Sequence, residues 1–194
     1  MNLTRRTLVL AAAAAPLAAC ATGATLAPHG AYQAGAIALT LSRDWSDMTR
    51  MLPSPHPAGM HMLTVNGPFL DRLYAMTLEP GEAMFPPRDR NAPRVAFRAD
   101  MTDTELVEFV TDSFAQTFEA PESQTLRPQN MGSTAGVRFD IATRTQEGLL
   151  FTGTALVARA NGKFNGLIFL APTEHYYAEL LPDAESILTS ARLT

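Results

Sequence analysis

Apolar and polar positions alternate most regularly in the second half of the chain. Residues 137–142 place apolar side chains at every second position, which predicts a strand with one buried face. Residues 149–160 and 163–170 predict two more strands, and Asn161-Gly162 between them is a strong hairpin signal. Residues 166–171 are almost entirely apolar, as expected of a strand covered on both faces. This half of the chain therefore predicts a three-stranded antiparallel meander.

The first half contains shorter apolar runs. Residues 36–41 alternate and predict an opening strand. Residues 60–65 and 69–78 flank Asn66-Gly67-Pro68, which predicts a hairpin whose turn Pro68 makes longer or irregular. A further strand is expected over residues 124–129.

Helical spacing is clear in three places. Thr102 and Glu105 fit a capping box, so a helix should begin at Asp103 and run to about Phe118. Near the end of the chain, residues 173–181 and 182–193 predict two helices separated at Pro182. The order of elements predicts an α+β fold, in which helices pack on an antiparallel β-sheet.

The N-terminus has the three parts of a secretory signal. Arg5 and Arg6 precede an apolar run over residues 8–17, and small residues follow it. The apolar run is shorter than the roughly 20 residues that span a bilayer. We therefore expect residues 1–19 to be a signal peptide, residues 20–34 the mature N-terminus and a flexible tether, and residues 35–194 a single domain.

The segment Leu17-Ala18-Ala19-Cys20 resembles the lipobox of bacterial lipoproteins. The resemblance implies cleavage between Ala19 and Cys20, and a covalent lipid on Cys20 that anchors the chain to a membrane. By analogy with Gram-negative sorting, Ala21 after the cysteine favours the outer membrane, facing the periplasm. Residues 4–9 also resemble the twin-arginine export motif without its usual Phe and Lys, so either that route or the general secretory route remains open.

The charge balance limits the class of partner. Residues 1–19 contain two arginines and no acidic residue, so their removal changes the net charge from −4 to −6. A negative chain argues against nucleic acid as a partner. With Cys20 acylated, no thiol remains for a disulfide, and no cofactor other than this covalent lipid is expected.

Several segments together resemble the PsbP-like α/β/α sandwich. They are Asp44-Trp45 after the opening strand, the helix after the acidic cap, the strands over residues 136–160, the segment 169–172, and Tyr176-Tyr177 with the ending at residues 190–193. The resemblance implies a non-catalytic binding or assembly module, whose partner would be another envelope protein. We expect Trp45 to fill the core, with ligand stacking as the alternative, and Tyr176 and Tyr177 to offer a binding surface.

Two other chemistries remain as alternatives. His56, Met60, His61 and Met62 provide imidazole and thioether groups that suit Cu(I), which would make the protein a periplasmic copper handler. A small hydrolase is the other alternative. His175 beside Glu174 is its candidate base, but Gly132-Ser133 does not fit the Gly-x-Ser-x-Gly motif of a nucleophile elbow.

Overall fold

The computed structural model describes residues 23–89 and 91–194. In this part of the chain it has eleven strands, two α-helices and one short 3-10 helix. The elements are β1 (Thr25–Ala27), β2 (Gly30–Ala34), β3 (Ile37–Leu41), β4 (Trp45–Asp47), the 3-10 helix (Thr49–Met51), β5 (Met60–Thr64), β6 (Arg72–Leu78), α1 (Asp103–Phe114), β7 (Glu119–Pro128), β8 (Gly136–Arg144), β9 (Leu150–Ala160), β10 (Lys163–Pro172), α2 (Tyr176–Ser190) and β11 (Arg192–Leu193).

The strands form one large and one small antiparallel sheet. The large sheet has eight strands in the order β1-β4-β5-β6-β10-β9-β8-β7, and the small one has the order β11-β3-β2. In the centre of the large sheet, every residue of β10 after Lys163 is buried. The meander and the α+β class predicted from the sequence are therefore confirmed.

Both predicted hairpins are present. Asn161 and Gly162 join β9 to β10 with φ angles of 52° and 74°, a backbone shape that Asn and Gly adopt more readily than other residues. Strands β5 and β6 pair with Leu63 opposite Leu73, so the connection between them spans residues 65–71. This longer connection agrees with the irregular turn expected from Pro68.

The two edges of the large sheet differ in length. Strand β1 has three residues and pairs with β4. Strand β7 has ten residues, but its pairing with β8 shifts register between Glu119 and Glu122 and again between Gln124 and Arg127.

Each face of the large sheet is covered by one α-helix. We call the face that carries α1 the first face, and its buried cluster includes Met60, Met62 and Phe114. The second face carries α2 and the small sheet, and its cluster includes Trp45 and Phe169. The result is the layered sandwich that the sequence predicted.

The tether is shorter than predicted. Residues 25–34, assigned to the tether from their small and polar composition, contain β1 and β2. Strand pairing explains the difference, because β2 completes a hairpin with β3 and β1 extends the large sheet. The predicted signal peptide and the cleavage and lipidation site at Ala19 and Cys20 lie outside the described residues.

The helices depart from prediction at their ends. Helix α1 begins at the capping box, where Glu105 accepts a hydrogen bond of 2.7 Å from the Thr102 N–H, but it ends at Phe114, four residues early. The two predicted C-terminal helices are one, α2, with Pro182 inside it. Leu180 and Ala184 on either side of the proline are both fully buried in the same cluster, and this packing outweighs the hydrogen bond that proline removes. Neither described helix has the length and apolarity needed to cross a membrane.

Candidate binding pocket

An apolar cavity of about 370 Å³ opens beside the first face of the sheet. Its floor is formed by Met60 and Met62 of β5 and Tyr74 of β6. These side chains share a face because Met62 is paired directly with Tyr74, and residues two apart on a strand point the same way. The volume lies within the range of small-molecule sites.

The walls come from three separate segments. One is the end of the 3-10 helix and the residues after it, and it includes Met51 and Leu52. The second is the β5–β6 connection with Phe69, and the third includes Met84 and Phe85 after β6. Four methionines line the cavity, and their flexible thioether chains can repack around irregular apolar ligands.

The mouth of the pocket exposes apolar side chains to solvent. Phe69 is 80 % exposed and Met51 is 53 % exposed, although both line the cavity. Deeper in, Tyr74 and Phe85 pack edge to face, with ring centroids 5.6 Å apart. Apolar side chains thus line the pocket both at its floor and at its mouth.

Among the described residues that line the cavity, Arg72 is the only one with a side chain of the Arg, Lys, Asp or Glu type. Its Nε donates a hydrogen bond to the Pro68 carbonyl, and its guanidinium lies 5.6 Å from the centroid of the Phe118 ring. No carboxylate pairs with it in the described part of the chain. Burial raises the pKa of Tyr74, so its hydroxyl stays protonated at neutral pH. Besides Arg72 and Tyr74, the polar residues that line the pocket are His56 and Thr117, and its other lining residues are apolar.

The structure divides the predicted copper ligands between two faces of the sheet. His56, Met60 and Met62 line the cavity. His61 lies on the second face, where its Nδ1 is 3.3 Å from the Tyr32 hydroxyl. Strand alternation is the reason, because residue 61 must point away from residues 60 and 62. The four-residue set is therefore wrong as a single site. Among the described residues, no group of three or more His, Cys, Asp and Glu side chains could hold a metal ion.

The aromatic residues expected at a binding surface are not free for that role. Trp45 is 1 % exposed and lies in the core of the second face, so the stacking alternative is wrong. Tyr177 is half-buried and stacks on Phe169, with centroids 5.8 Å apart, and Tyr176 also packs against this cluster. Both tyrosines dock α2 on the sheet instead of forming an exposed patch.

His175 is exposed at the start of α2, and its Nε2 is 3.3 Å from Glu179. Within the described residues, no histidine forms a hydrogen bond with a serine hydroxyl. In this part of the chain His175 therefore has no serine nucleophile beside it.

Sequence reasoning missed most of the pocket. Phe69, Arg72, Tyr74 and Met84 are neighbours only because β5 pairs with β6 and the following segment folds over them. No local motif marks them. The set of His56, Met60, His61 and Met62 was the only signal in the sequence.

Comparison with protein-family models and with curated proteins finds no match. Solved structures do match. LpqN of Mycobacterium tuberculosis, described as involved in cell envelope biogenesis, has a TM-score of 0.51 and 14 % identity, over 88 % of this chain and 91 % of its own. The PsbP protein of the cyanobacterium Synechocystis sp. PCC 6803 has a TM-score of 0.55 and 10 % identity, over 88 % of this chain and 92 % of its own. At these identities the likeness concerns the fold. The chain has the α+β sandwich of the PsbP-like proteins.

Proposed function

We propose that the protein is a non-catalytic binding module of the cell envelope, anchored to a membrane by a lipid on Cys20. Its ligand site is the methionine-rich pocket, which takes the single hydrocarbon chain of an amphiphile. The observation that carries this proposal is an apolar cavity of about 370 Å³ whose floor is buried and whose mouth is open. Cavities of this kind gain affinity by removing apolar ligand surface from water.

The polar groups in the pocket indicate the chemistry of the ligand's headgroup. Arg72 lines the cavity without a carboxylate partner in the described residues, and the Tyr74 hydroxyl lies on the same strand two residues away. An anionic headgroup can accept hydrogen bonds from both, and hydrogen bonds to a charged partner are the stronger kind. A single-chain carboxylate is therefore the ligand class that fits best.

The proposed location in the cell envelope rests on the sequence. The signal-like residues 1–19 and the lipobox-like segment ending at Cys20 support export and lipidation, and Ala21 supports the outer membrane with the domain in the periplasm. LpqN, which shares the fold, is described as involved in cell envelope biogenesis, and this supports the same setting. An envelope protein that delivers or receives the amphiphile would be the macromolecular partner.

Ligand binding is tested with dodecanoate and the Cys20→Ala chain, which cannot be acylated. At a free concentration of about 100 times Kd, dodecanoate should stabilise the fold by about 2.7 kcal/mol in thermal or urea unfolding. Leu52→Trp replaces a smaller side chain at the cavity wall with a bulky indole and should abolish the stabilisation. Leu126→Trp, on β7 at the far edge of the large sheet, should not. Equal stabilisation of both variants would reject the pocket as the site.

Lipidation is tested separately by mass spectrometry of protein purified from native membranes. The proposal requires a mature chain that begins at an acylated Cys20. An unprocessed chain, or a mature chain without acyl groups, would overturn the anchor and leave the pocket to be judged on its own test.

Copper handling is a second candidate, favoured by one observation. His56 lines the same cavity as four methionines, which together provide the nitrogen and sulfur ligands that suit Cu(I). His61 is not part of this candidate site.

A further inference from the structure

We propose that the edge of the sheet around the pocket mouth inserts its exposed apolar side chains into the bilayer, so that the pocket opens towards the membrane. The inference rests on the anchor proposed above. It concerns the orientation of the domain on the membrane, which an anchor alone does not determine.

The first observation is the distribution of exposed apolar residues. Within the described residues six large apolar side chains are exposed, and three of them lie in the half of the large sheet that carries the pocket. They are Leu26 on β1, Met51 in the 3-10 helix and Phe69 in the β5–β6 connection. Phe69 and Met51 form the mouth of the pocket. Exposed apolar residues that gather in one place mark interaction surfaces, whereas scattered ones do not.

Strand register places Leu26 on the same side of the sheet. Leu26 is paired with Ser46, and Ser46 is paired with Thr64. Directly opposed residues share a face, and Thr64 is two residues from Met62 in the pocket floor. Leu26, 69 % exposed, therefore extends the apolar mouth to the edge strand β1.

The second observation is where the chain leaves the described residues. A methyl group added at Gly23 would lie 3.2 Å from the Met51 side chain, so the backbone passes directly beside the mouth. Cys20 precedes Gly23 by three residues, which span at most about 11 Å. A lipid on Cys20 must therefore enter the membrane close to Met51, and the membrane surface lies next to the mouth.

The apolar side chains around the mouth can dock on a bilayer without the help of a basic surface. The net charge after removal of residues 1–19 is −6, so attraction to anionic headgroups does not drive docking. Burial of Phe69, Met51 and Leu26 among acyl chains does not need that attraction. An amphiphile could then pass from the bilayer to the pocket without crossing water.

The test compares lipidated protein before and after the addition of phosphatidylcholine vesicles. Cys20 is the only cysteine in the chain, and acylation blocks its thiol. Phe69→Cys therefore supplies a single site for a polarity-sensitive fluorophore such as NBD. Leu126→Cys is the matched control, since its residue is 51 % exposed on β7, seven strands and on the order of 30 Å from β1.

On addition of vesicles, label at residue 69 should shift to shorter emission wavelength and be quenched by nitroxide-bearing acyl chains. Label at residue 126 should do neither. No change at residue 69, or the same change at both positions, would overturn the proposed orientation. A second label at residue 20 would show that the lipid is missing and would reject the anchor. The double variant Cys20→Ala/Phe69→Cys carries a single label, and its emission spectrum then shows whether the mouth inserts without the lipid.

Discussion

The Arg138 guanidinium donates to both carboxylate oxygens of Glu185, at 2.8 Å and 2.6 Å. Arg138 belongs to β8 and is 3 % exposed, whereas Glu185 lies in the middle of α2. Arg138 also donates to the Thr154 hydroxyl on the neighbouring strand. The pair fixes the position of α2 on the second face of the sheet.

Glu185→Ala should therefore destabilise the fold by about 2–3 kcal/mol, because it leaves a buried guanidinium without its anion. Urea unfolding at neutral pH measures the loss. Glu185→Gln keeps an acceptor oxygen and should lose less. Equal stability of Glu185→Ala and the parent protein would contradict a structural role for this pair.

Asp71 should control the shape of the pocket mouth. It is fully buried and accepts hydrogen bonds from the Val65 N–H at 2.6 Å and the Asn66 N–H at 2.7 Å, within the connection that carries Phe69. Asp71→Ala removes the acceptor for both, so we expect a loss of at least about 2 kcal/mol together with weaker dodecanoate binding. Asp71→Asn is the matched variant, and it should lose less of both. Unfolding and ligand titration of the two variants, in parallel, provide the check.

The stability of the fold at acidic pH should depend on the ionisation of Asp47. Burial raises its pKa, but hydrogen bonds from Thr49 and from the Tyr32 hydroxyl outweigh burial and leave the pKa below the ordinary 3.8. A carboxyl group with a lowered pKa in the folded state stabilises the fold above its ordinary pKa. This contribution is lost as the pH falls through the lowered value.

Tyr32→Phe removes one donor, so it should raise the pKa of Asp47 towards 3.8. A carbon-detected NMR titration of the Asp47 carboxyl in both proteins gives the two values. A parent pKa at or above 3.8 would contradict the hydrogen-bonding pattern described for this site.

The copper alternative makes different predictions for His56 and His61. If the pocket binds Cu(I), His56→Ala should weaken binding strongly, because His56 lines the cavity. His61→Ala should leave Cu(I) affinity unchanged, because His61 lies beside Tyr32 on the second face. Competition titration with a Cu(I) chelator measures both. Loss in the His61 variant alone, or weak binding unaffected by either change, would reject this site.

The fold could be predicted because its main signals are local. The capping box at Thr102, the Asn161-Gly162 turn and the alternation over residues 137–142 each concern neighbours in sequence, and all three appear in the structure. Where a local signal opposed tertiary packing, the prediction failed. Pro182 indicated a break, but burial of Leu180 and Ala184 keeps α2 continuous.

The candidate site was harder to predict because it is assembled from distant segments. Met51, Tyr74 and Met84 have no common spacing, and only the pairing of β5 with β6 and the fold of the flanking segments bring them together. The sequence did mark the methionines near residue 60 as unusual. It grouped His61 with them, although alternation along the predicted strand over residues 60–65 turns residue 61 away from residues 60 and 62.

The irregular edges of the large sheet affect whether molecules of this protein associate when they are held close together. Anchored proteins share a two-dimensional surface, where neighbouring molecules meet far more often than in solution. A long regular edge would invite strand-to-strand association between them. Here one edge offers only the three residues of β1, and the other, β7, is interrupted by two register shifts. Neither edge of the large sheet is a good template for another chain, so we expect little strand-to-strand association through this sheet, even between molecules held close together.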